Sequence, residues 1–370
     1  MIQKIAKSTL LAATLILVGC GDNAYDGTNL IGSASTQAQG DALASLQKEV
    51  FTAHADKFTS TLNDLKTLSE GFDSNLTSAD VSTLQGNVQN IILAWKSVES
   101  SYVAADYDKT LIDLPQLIDF YHTGKKLDVP ADIDNALIQT NISIENALFK
   151  NSSKSITALE YLTYGHTDTL STLSDAMNKD SRRRVEAIIL TTNTLLVHAE
   201  AIASFYKNDS KFQSDAKDAS NSIVNVLIDS SFKLKEWRLG EPSGIALKYK
   251  DSPDPARLEY AKSRLSLAAI KTILTTHLEI MGTQSYANFG SFASDHGAAL
   301  VVTQIEKQLN DALAVVNQFS TALEDSITTS SYDPKIDTLY DMVKNLQELY
   351  FTSLIQALDL TAEIIEADGD

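Results

Sequence analysis

Apolar residues recur at every third or fourth position through most of this chain of 370 residues. Such spacing places them on one face of an α-helix, so that each helix buries a stripe against its neighbours. Between residues 81 and 102 the stripe is a heptad seam, formed by Val81, Leu84, Val88, Ile91, Trp95, Val98 and Tyr102. No stretch alternates convincingly between apolar and polar residues, as a half-buried strand does. The sequence therefore predicts an all-α fold of helical bundles.

The length predicts more than one folded unit, because a mature chain of about 350 residues would make an unusually large single core. We expect two helical-bundle domains, residues 41–180 and residues 181–370. Three arginines, Arg182 to Arg184, stand at the start of the helix that opens the second domain. Since positive charge at a helix N-terminus opposes the helix dipole, we expect at least one of them to have an acidic partner.

Residues 1–19 have the features of a secretory signal. Lys4 and Lys7 give a basic start, Leu10 to Val18 an apolar run, and Leu17-Val18-Gly19-Cys20 a lipobox. Cys20 is the only cysteine, which excludes a disulfide framework and is typical of a lipid-bearing N-terminus. We expect a bacterial lipoprotein held to the membrane by the lipid on Cys20, with residues 20–40 as a flexible tether. Gly21, where aspartate would signal inner-membrane retention, favours the outer membrane.

The formal net charge of −18 argues against one class of partner. A strongly acidic surface repels nucleic acid, so no nucleic-acid partner is expected. The chain also has no Gly-x-Ser-x-Gly nucleophile elbow, no phosphate-binding glycine loop and no dinucleotide fingerprint. Serine-type hydrolysis and nucleotide chemistry therefore have no support in its motifs.

The stretch from Ser155 to Gly165 is the most informative segment for function. Ile156, Leu159 and Leu162 have helical spacing, and Gly165 is placed to end the helix in a left-handed conformation. From these residues alone the segment is a short core helix with one solvated acid, Glu160.

The same stretch resembles a motif of the imelysin family, Gly-x-His-x-x-Glu-Tyr/Phe-Leu-Leu-x-Gly. The matching residues are Glu160, Tyr161, Leu162 and Gly165, whereas Thr157 stands at the histidine position and Ser155 at the first glycine. In the family pattern the histidine and glutamate share one helix face, as two ligands of one metal ion must. The resemblance implies that Glu160 keeps the acidic ligand position and that Thr157, a poor metal ligand, occupies the lost one.

Three other segments resemble the family in the same order along the chain. They are the helix segment Ala94 to Glu99 that contains Trp95, the turn Leu239-Gly240-Glu-Pro242-Ser-Gly244, and a helix that starts after Asp254-Pro255 and carries Ser263. The resemblance implies an exported, often lipid-anchored protein of two helical bundles, connected with iron acquisition and classed with the metallopeptidases.

The histidines offer little to replace the missing ligand. None of the six is followed three residues later by Glu or Asp, and no His-Glu-x-x-His motif occurs. His54 lies on an apolar stripe and is interpreted as a core residue. Two pairings stay open: Asp119 with His122, if that segment is helical, and Glu160 with His166, which follows Gly165 and would have to approach through a turn. Glu160 and His166 are thus the candidate metal ligands, with iron or another divalent metal as the expected cofactor.

Taken together, the lipobox, the ordered resemblance and the missing histidine predict a non-catalytic, ligand- or metal-binding lipoprotein of the cell envelope connected with iron uptake. The candidate ligand-binding residues are Thr157, Glu160, Ser155, Tyr161, Trp95 and Ser263. Its expected partners are the membrane and an iron-uptake component or small ligand. Two alternatives remain, a metal-dependent peptidase with a rearranged site and a helical adaptor that binds a partner protein.

Overall fold

The computed structural model describes residues 36–72, 75–122, 128–165 and 168–362. The expected signal, the lipidated Cys20, most of the tether and His166 lie outside the described residues.

The all-α prediction is confirmed, since the described residues contain no β-strand and only one isolated β-bridge, between Ile327 and Tyr332. The helices of the first half are α1 (Thr36–Leu46), α2 (Ala53–Glu70), α3 (Ser78–Glu99), α4 (Ala104–Tyr107), α5 (Leu114–Ile118), α6 (Asp128–Ile138), α7 (Ile144–Ala147), α8 (Ile156–Tyr164), α9 (Leu170–Asn178) and α10 (Arg183–Asn208). Those of the second half are α11 (Lys211–Ser214), α12 (Ala216–Lys233), α13 (Glu241–Ser243), α14 (Ser266–Met281), α15 (Phe289–Ala293), α16 (Ala299–Val316), α17 (Leu323–Ser326), α18 (Lys335–Glu348) and α19 (Ile355–Leu358). Four π-helical turns, Gln47–Thr52, Leu234–Gly240, Ser294–Ala298 and Leu349–Leu354, interrupt or extend these helices.

The first half is built around α2, which packs against both α3 and α10. The apolar stripes make these contacts: Phe58 and Leu62 on α2 and Val88 and Ile91 on α3 are fully buried. Burial of each such side chain contributes on the order of 1.5–3 kcal/mol, so the stripes supply the main stabilisation of this bundle.

The second half packs α14 on α16, α16 on α18 and α18 on α12. Helix α3 also contacts α14, and the buried apolar residues of both halves belong to one continuous core. Helix α10 packs most extensively on α2 and also contacts α8, although it follows residue 180. The division into two bundles therefore stays a prediction, and the packing of α10 favours a boundary beyond residue 208 over one after residue 180.

The expected acidic partner of the arginine cluster is not found among the described residues. A turn with positive φ at Asp180, Ser181 and Arg182 precedes α10. The guanidinium groups donate instead to backbone carbonyls: Arg182 to Phe72 at 3.1 Å, Arg183 to Ala136 at 3.0 Å and Ile142 at 2.9 Å, and Arg184 to Leu162 at 2.9 Å. Carbonyl oxygens at loop and helix ends carry the partial negative charge that compensates the cations.

One helical region of the described chain, Asp180–Ser214, has the length and apolar composition of a membrane span. Half of its most apolar window is buried inside the protein, and the core helix of a bundle passes the same test. The packing of α10 on α2 accounts for its apolar face.

Candidate functional site

A fully buried lysine marks the place where the two halves of the chain meet. Lys96 lies near the end of α3 with no exposed surface. Its Nζ atom contacts Glu99 Oε2 at 2.5 Å, Glu259 Oε1 at 2.7 Å and Asp119 Oδ2 at 3.1 Å. Glu99 is on the same helix face, three residues on, whereas Asp119 follows α5 and Glu259 precedes α14.

Arg238 completes this cluster from the π-helical turn Leu234–Gly240. Its Nε atom lies 2.7 Å from Glu259 Oε2, and its Nη2 atom lies 2.9 Å from both Glu259 Oε1 and Glu99 Oε2. The guanidinium thus holds Glu259 with two parallel hydrogen bonds, the geometry that Arg favours with carboxylates. We call Lys96, Glu99, Asp119, Arg238 and Glu259 the ionic junction.

Lys96 and Glu99 keep their charges at neutral pH. Burial by itself would lower the pKa of Lys96, but the carboxylates of Glu259, Glu99 and Asp119 outweigh it and raise the pKa above its ordinary value. Burial opposes ionisation of Glu99 too, yet Lys96 and Arg238 lower its pKa to about 2. Removing ions from water is costly, and here each charge has opposite charges within hydrogen-bonding distance to offset that cost.

The helix that carries the motif, α8, ends before Gly165 as its sequence predicts. The Ser155 hydroxyl accepts a hydrogen bond from the Ala158 N–H at 3.3 Å, which makes Ser155 the N-cap. Gly165 follows the helix at φ 66°, and a Cβ atom there would lie 1.9 Å from Asp168 Oδ2. Only glycine therefore fits this position without a shift of Asp168.

Thr157, at the histidine position of the motif, belongs to the surroundings of the ionic junction. Its hydroxyl donates to Asp119 Oδ1 at 3.1 Å and accepts from the Phe120 N–H at 3.2 Å. Tyr260 donates to the other oxygen of Asp119 at 2.6 Å. Burial and then the charge of Asp119 raise the pKa of Tyr260, so that it remains a donor. Asp119 thus connects the motif helix to the segment before α14.

Glu160 makes a second connection to that segment. Its Oε1 atom accepts hydrogen bonds from the N–H of Ser263 at 2.9 Å and from the Ser263 hydroxyl at 2.7 Å. Glu160 is 3% exposed, so the solvated acid expected from the residues alone is in fact buried. The structure brings Thr157, Glu160 and Ser263 together at one side of the ionic junction.

The chain was compared with known proteins at the level of families, sequences and structures. The family model described as Imelysin, Peptidase_M75, matches residues 51–350. The chain belongs to the imelysin family. No curated protein matches this chain by sequence.

Two solved structures share the imelysin fold seen here. One is an imelysin-like protein from Psychrobacter arcticum 273-4, with 17% identity and a TM-score of 0.57, over 89% of this chain and 98% of that one. The other is a proposed iron-regulated protein A precursor from Parabacteroides distasonis ATCC 8503, with 11% identity and a TM-score of 0.65, over 88% of this chain and 95% of that one. At these identities the likeness establishes the fold alone.

The remaining residues predicted for the site have other surroundings. Trp95 is fully buried and packs on Phe58, 5.4 Å between ring centroids. The Tyr161 hydroxyl donates to Asp134 at 2.7 Å, and the Lys262 ammonium lies 5.2 Å from the ring centroid. Asp119 and His122 also face different partners, because His122 stacks on Trp237 at 4.4 Å and its Nε2 lies 3.0 Å from Glu241.

One prediction about Ser263 is wrong in detail. The helix expected from Pro255 onward begins only at Ser266, and Ser263 lies in a turn before it. Asp254 does cap a helical turn, but that turn, Pro255–Arg257, is a single 3₁₀ turn. Glu160 binds both polar groups of Ser263 and Arg264 has φ 60°, so tertiary contacts and backbone conformation both oppose a continuous helix.

The imelysin resemblance raises the question of a catalytic metal, and the described residues do not fit one. No three side chains of the types His, Cys, Asp and Glu in the described ranges are grouped so that they could hold a metal ion. Thr157 offers a neutral hydroxyl that is bonded to Asp119, and Glu160 Oε1 already accepts two hydrogen bonds. His166 lies outside the described residues, so its pairing with Glu160 stays a prediction.

Sequence reasoning missed the ionic junction itself. Lys96 and Glu259 lie within family-like segments, but the resemblance points only to Trp95 and Ser263 there. Arg238 lies outside those segments, and the five members of the junction come from four separate parts of the chain. The available signal was local: Ile92, Lys96 and Glu99 follow a second helical stripe beside the seam of α3, which predicts a buried face for a charged pair.

Proposed function

We propose that this imelysin-family chain is a non-catalytic binding protein of the bacterial cell envelope that serves iron uptake. Family membership and the helical fold support it, and one protein of the same fold is described as iron-regulated. The lipobox before Cys20 adds the expectation of a lipid anchor, in the outer membrane by the choice of Gly21. Replacement of Cys20 by alanine should move the protein from the membrane to the soluble periplasmic fraction.

The observation that carries the non-catalytic part is the bonding of the motif residues. A zinc-type peptidase needs three protein ligands, an open position for water and a base. Here the residue at the histidine position donates to Asp119, and Glu160 is buried with Ser263 on its carboxylate. Both motif residues therefore join parts of the protein to one another.

Incubation of the mature protein with denatured casein tests this part. We expect no cleavage that a chelator inhibits. Cleavage that is inhibited by EDTA and abolished in Glu160→Ala would overturn the proposal and establish a peptidase with a rearranged site.

The proposed ligand-binding site lies where α8 contacts the segment before α14. Ser263 and Lys262 are partly exposed there, beside the buried carboxylate of Glu160. Calorimetric titration of the mature protein with ferric citrate and with zinc chloride tests it. We expect no heat with free zinc, for which the described residues offer no ligand set, but heat with the ferric complex, bound whole through hydrogen bonds. Its affinity should fall by roughly tenfold in Glu160→Gln, because a charged acceptor is lost.

Glu306 supplies a matched control for that titration. Its Oε1 accepts from the N–H of Thr283 at 2.9 Å and its Oε2 from the Thr283 hydroxyl at 3.2 Å, so it has the same two kinds of donor that Glu160 has on Oε1 from Ser263. Glu306→Gln should bind the ferric complex like the unchanged protein. Absence of heat with both metal solutions, or an equal loss in the two variants, would remove the iron-binding role of the Glu160 site.

A further inference from the structure

A groove of about 700 Å³ lies between α16 and the helix formed by α18 and the π-helical turn Leu349–Leu354. Its size is within the range of small-ligand sites. The polar side chains that line it include Gln304, Gln308, Asn345, Glu348, Thr352 and Ser353. None of them belongs to the ionic junction or to the motif, so the groove is a separate feature of the molecule.

The polar groups of this groove are available to a ligand. Elsewhere on these helices a hydroxyl returns to its own backbone, as Thr303 does to the Ala299 carbonyl at 2.9 Å. The side chains of Asn345, Thr352 and Ser353 make no hydrogen bond to the chain within its described ranges. Gln308 donates to the Met342 carbonyl at 3.0 Å, so the groups left for a ligand are those of Gln304, Asn345, Thr352 and Ser353.

The π-helical turn explains why neighbouring residues of this segment both line the groove. Glu348 and Leu349, and then Thr352 and Ser353, are two pairs of sequence neighbours that both line it. In a regular α-helix adjacent residues point about 100° apart, whereas the wider π-turn over Leu349–Leu354 changes this direction locally. Such turns are less stable than α-helix and occur often at functional sites.

The chemistry of the lining selects the class of ligand. Neutral amides and hydroxyls pair with ligand hydroxyls, and the one lysine of the groove, Lys307, already contacts Asp311. An anionic polymer would be repelled by a chain of net charge −18. A peptide would need apolar pockets for its side chains, and Leu349 is the one apolar residue of the lining.

We propose that this groove binds a neutral oligosaccharide. The amides of Gln304 on α16 and Asn345 on α18 line the groove from its two sides and bind sugar hydroxyls, and the hydroxyls of Thr352 and Ser353 add further donors and acceptors. The proposal concerns a site apart from Glu160, so it does not depend on the iron-linked function.

Calorimetric titration of the full mature chain with maltohexaose and with N-acetylchitohexaose, both neutral, tests the groove. We expect at least one of them to bind with a Kd below about 1 mM, and the double variant Gln304→Ala/Asn345→Ala to bind it roughly tenfold more weakly. Asn310→Ala is the matched control, because Asn310 is an exposed amide on α16 that bonds only to the Glu306 carbonyl at 2.9 Å.

Three results would overturn the proposal. The first is no binding of either sugar up to 10 mM, taken as roughly the weakest affinity that calorimetry resolves. The second is equal binding by the double variant and the unchanged protein. The third is binding of a neutral alanine peptide, lost in the double variant, in place of sugar binding. Circular dichroism of both variants shows that any loss arises at the groove and not from unfolding.

Discussion

The chain contains two buried polar clusters, and they offset the free-energy cost of removing polar groups from water in opposite ways. The ionic junction consists of two basic and three acidic side chains, and each of them contacts one of the opposite type at 3.1 Å or less. In the second half, His277 is fully buried between the Ser230 hydroxyl, 3.0 Å from Nε2, and the Tyr350 hydroxyl, 3.3 Å from Nδ1. No carboxylate is among those partners, so we call these three residues the neutral triad.

The difference shows what decides whether a buried group keeps its charge. Burial lowers the pKa of His277 to about 3, and nothing beside it opposes that effect, so the imidazole is neutral at pH 7. Burial acts in the same direction on Lys96, but three carboxylates reverse the result. The junction can therefore hold distant segments together by charge, whereas the triad connects neighbouring helices by ordinary hydrogen bonds.

The largest expected effect comes from removing one charge of the junction. Lys96→Met leaves Glu99, Asp119 and Glu259 close together with Arg238 as their remaining cation. Breaking a buried ion pair on one side typically costs about 3–5 kcal/mol, and we expect a loss of that size in the free energy of unfolding. Urea denaturation followed by circular dichroism measures it.

Lys48→Met is the control for this variant. Lys48 pairs with Glu49 at 2.6 Å, but its side chain is 79% exposed, and exposed pairs contribute little. We expect no measurable change. A loss in Lys96→Met as small as that in Lys48→Met would mean that the junction does not hold the two halves together.

The neutral triad should make the free energy of unfolding depend on pH. The pKa of His277 is about 3 in the folded chain and 6.5 for an ordinary histidine, so the unfolded state takes up a proton first as the pH falls. Stability is therefore fully present above pH 6.5 and is lost progressively between pH 6.5 and about 3, by up to about 1.4 kcal/mol per pH unit. The stabilising contribution of Glu99, whose pKa is lowered from 4.5 to about 2, is fully present above pH 4.5 and is lost only as the pH falls below that value, outside the range measured for His277.

Urea denaturation at pH 7 and pH 5 measures this contribution. Between those values the unchanged protein should lose about 2 kcal/mol, and His277→Gln should show a much smaller slope. His198→Gln is the matched control, because burial also lowers the pKa of His198 but that residue is only partly buried. Equal slopes in His277→Gln and the unchanged protein would contradict a neutral buried imidazole.

The contrast between the two clusters also explains what the sequence could predict. The seam from Val81 to Tyr102 predicts a helix, and α3 covers Ser78–Glu99. Gly165 predicts the end of α8, because a glycine with positive φ acts through neighbouring backbone atoms. Features set by contacts within a few residues were therefore accessible from the sequence.

The candidate site was only partly accessible, because its geometry depends on contacts between distant segments. Family resemblance directed attention to Glu160 and Ser263, but no spacing rule joins two residues 103 positions apart. The same limit hid the contact of Arg238 with Glu99, and it made the helix through Ser263 a wrong prediction. Charges on separate segments can be paired only after the fold has placed them.

The smallest expected loss of stability concerns two glutamates that each accept hydrogen bonds from the N–H and the hydroxyl of a single residue. Glu160→Ala leaves the N–H and hydroxyl of Ser263 without their acceptor in a partly buried place, and we expect a loss of about 2 kcal/mol. Glu306→Ala removes the same pattern from Thr283 at the surface, where water replaces the carboxylate, so the loss should stay within about 0.5 kcal/mol. Urea denaturation at pH 7 separates the two values. If the two variants lose equal stability, the contact of Glu160 with Ser263 stabilises the fold no more than a surface contact does. The presence of glutamate at this motif position would then have to be explained by ligand binding alone.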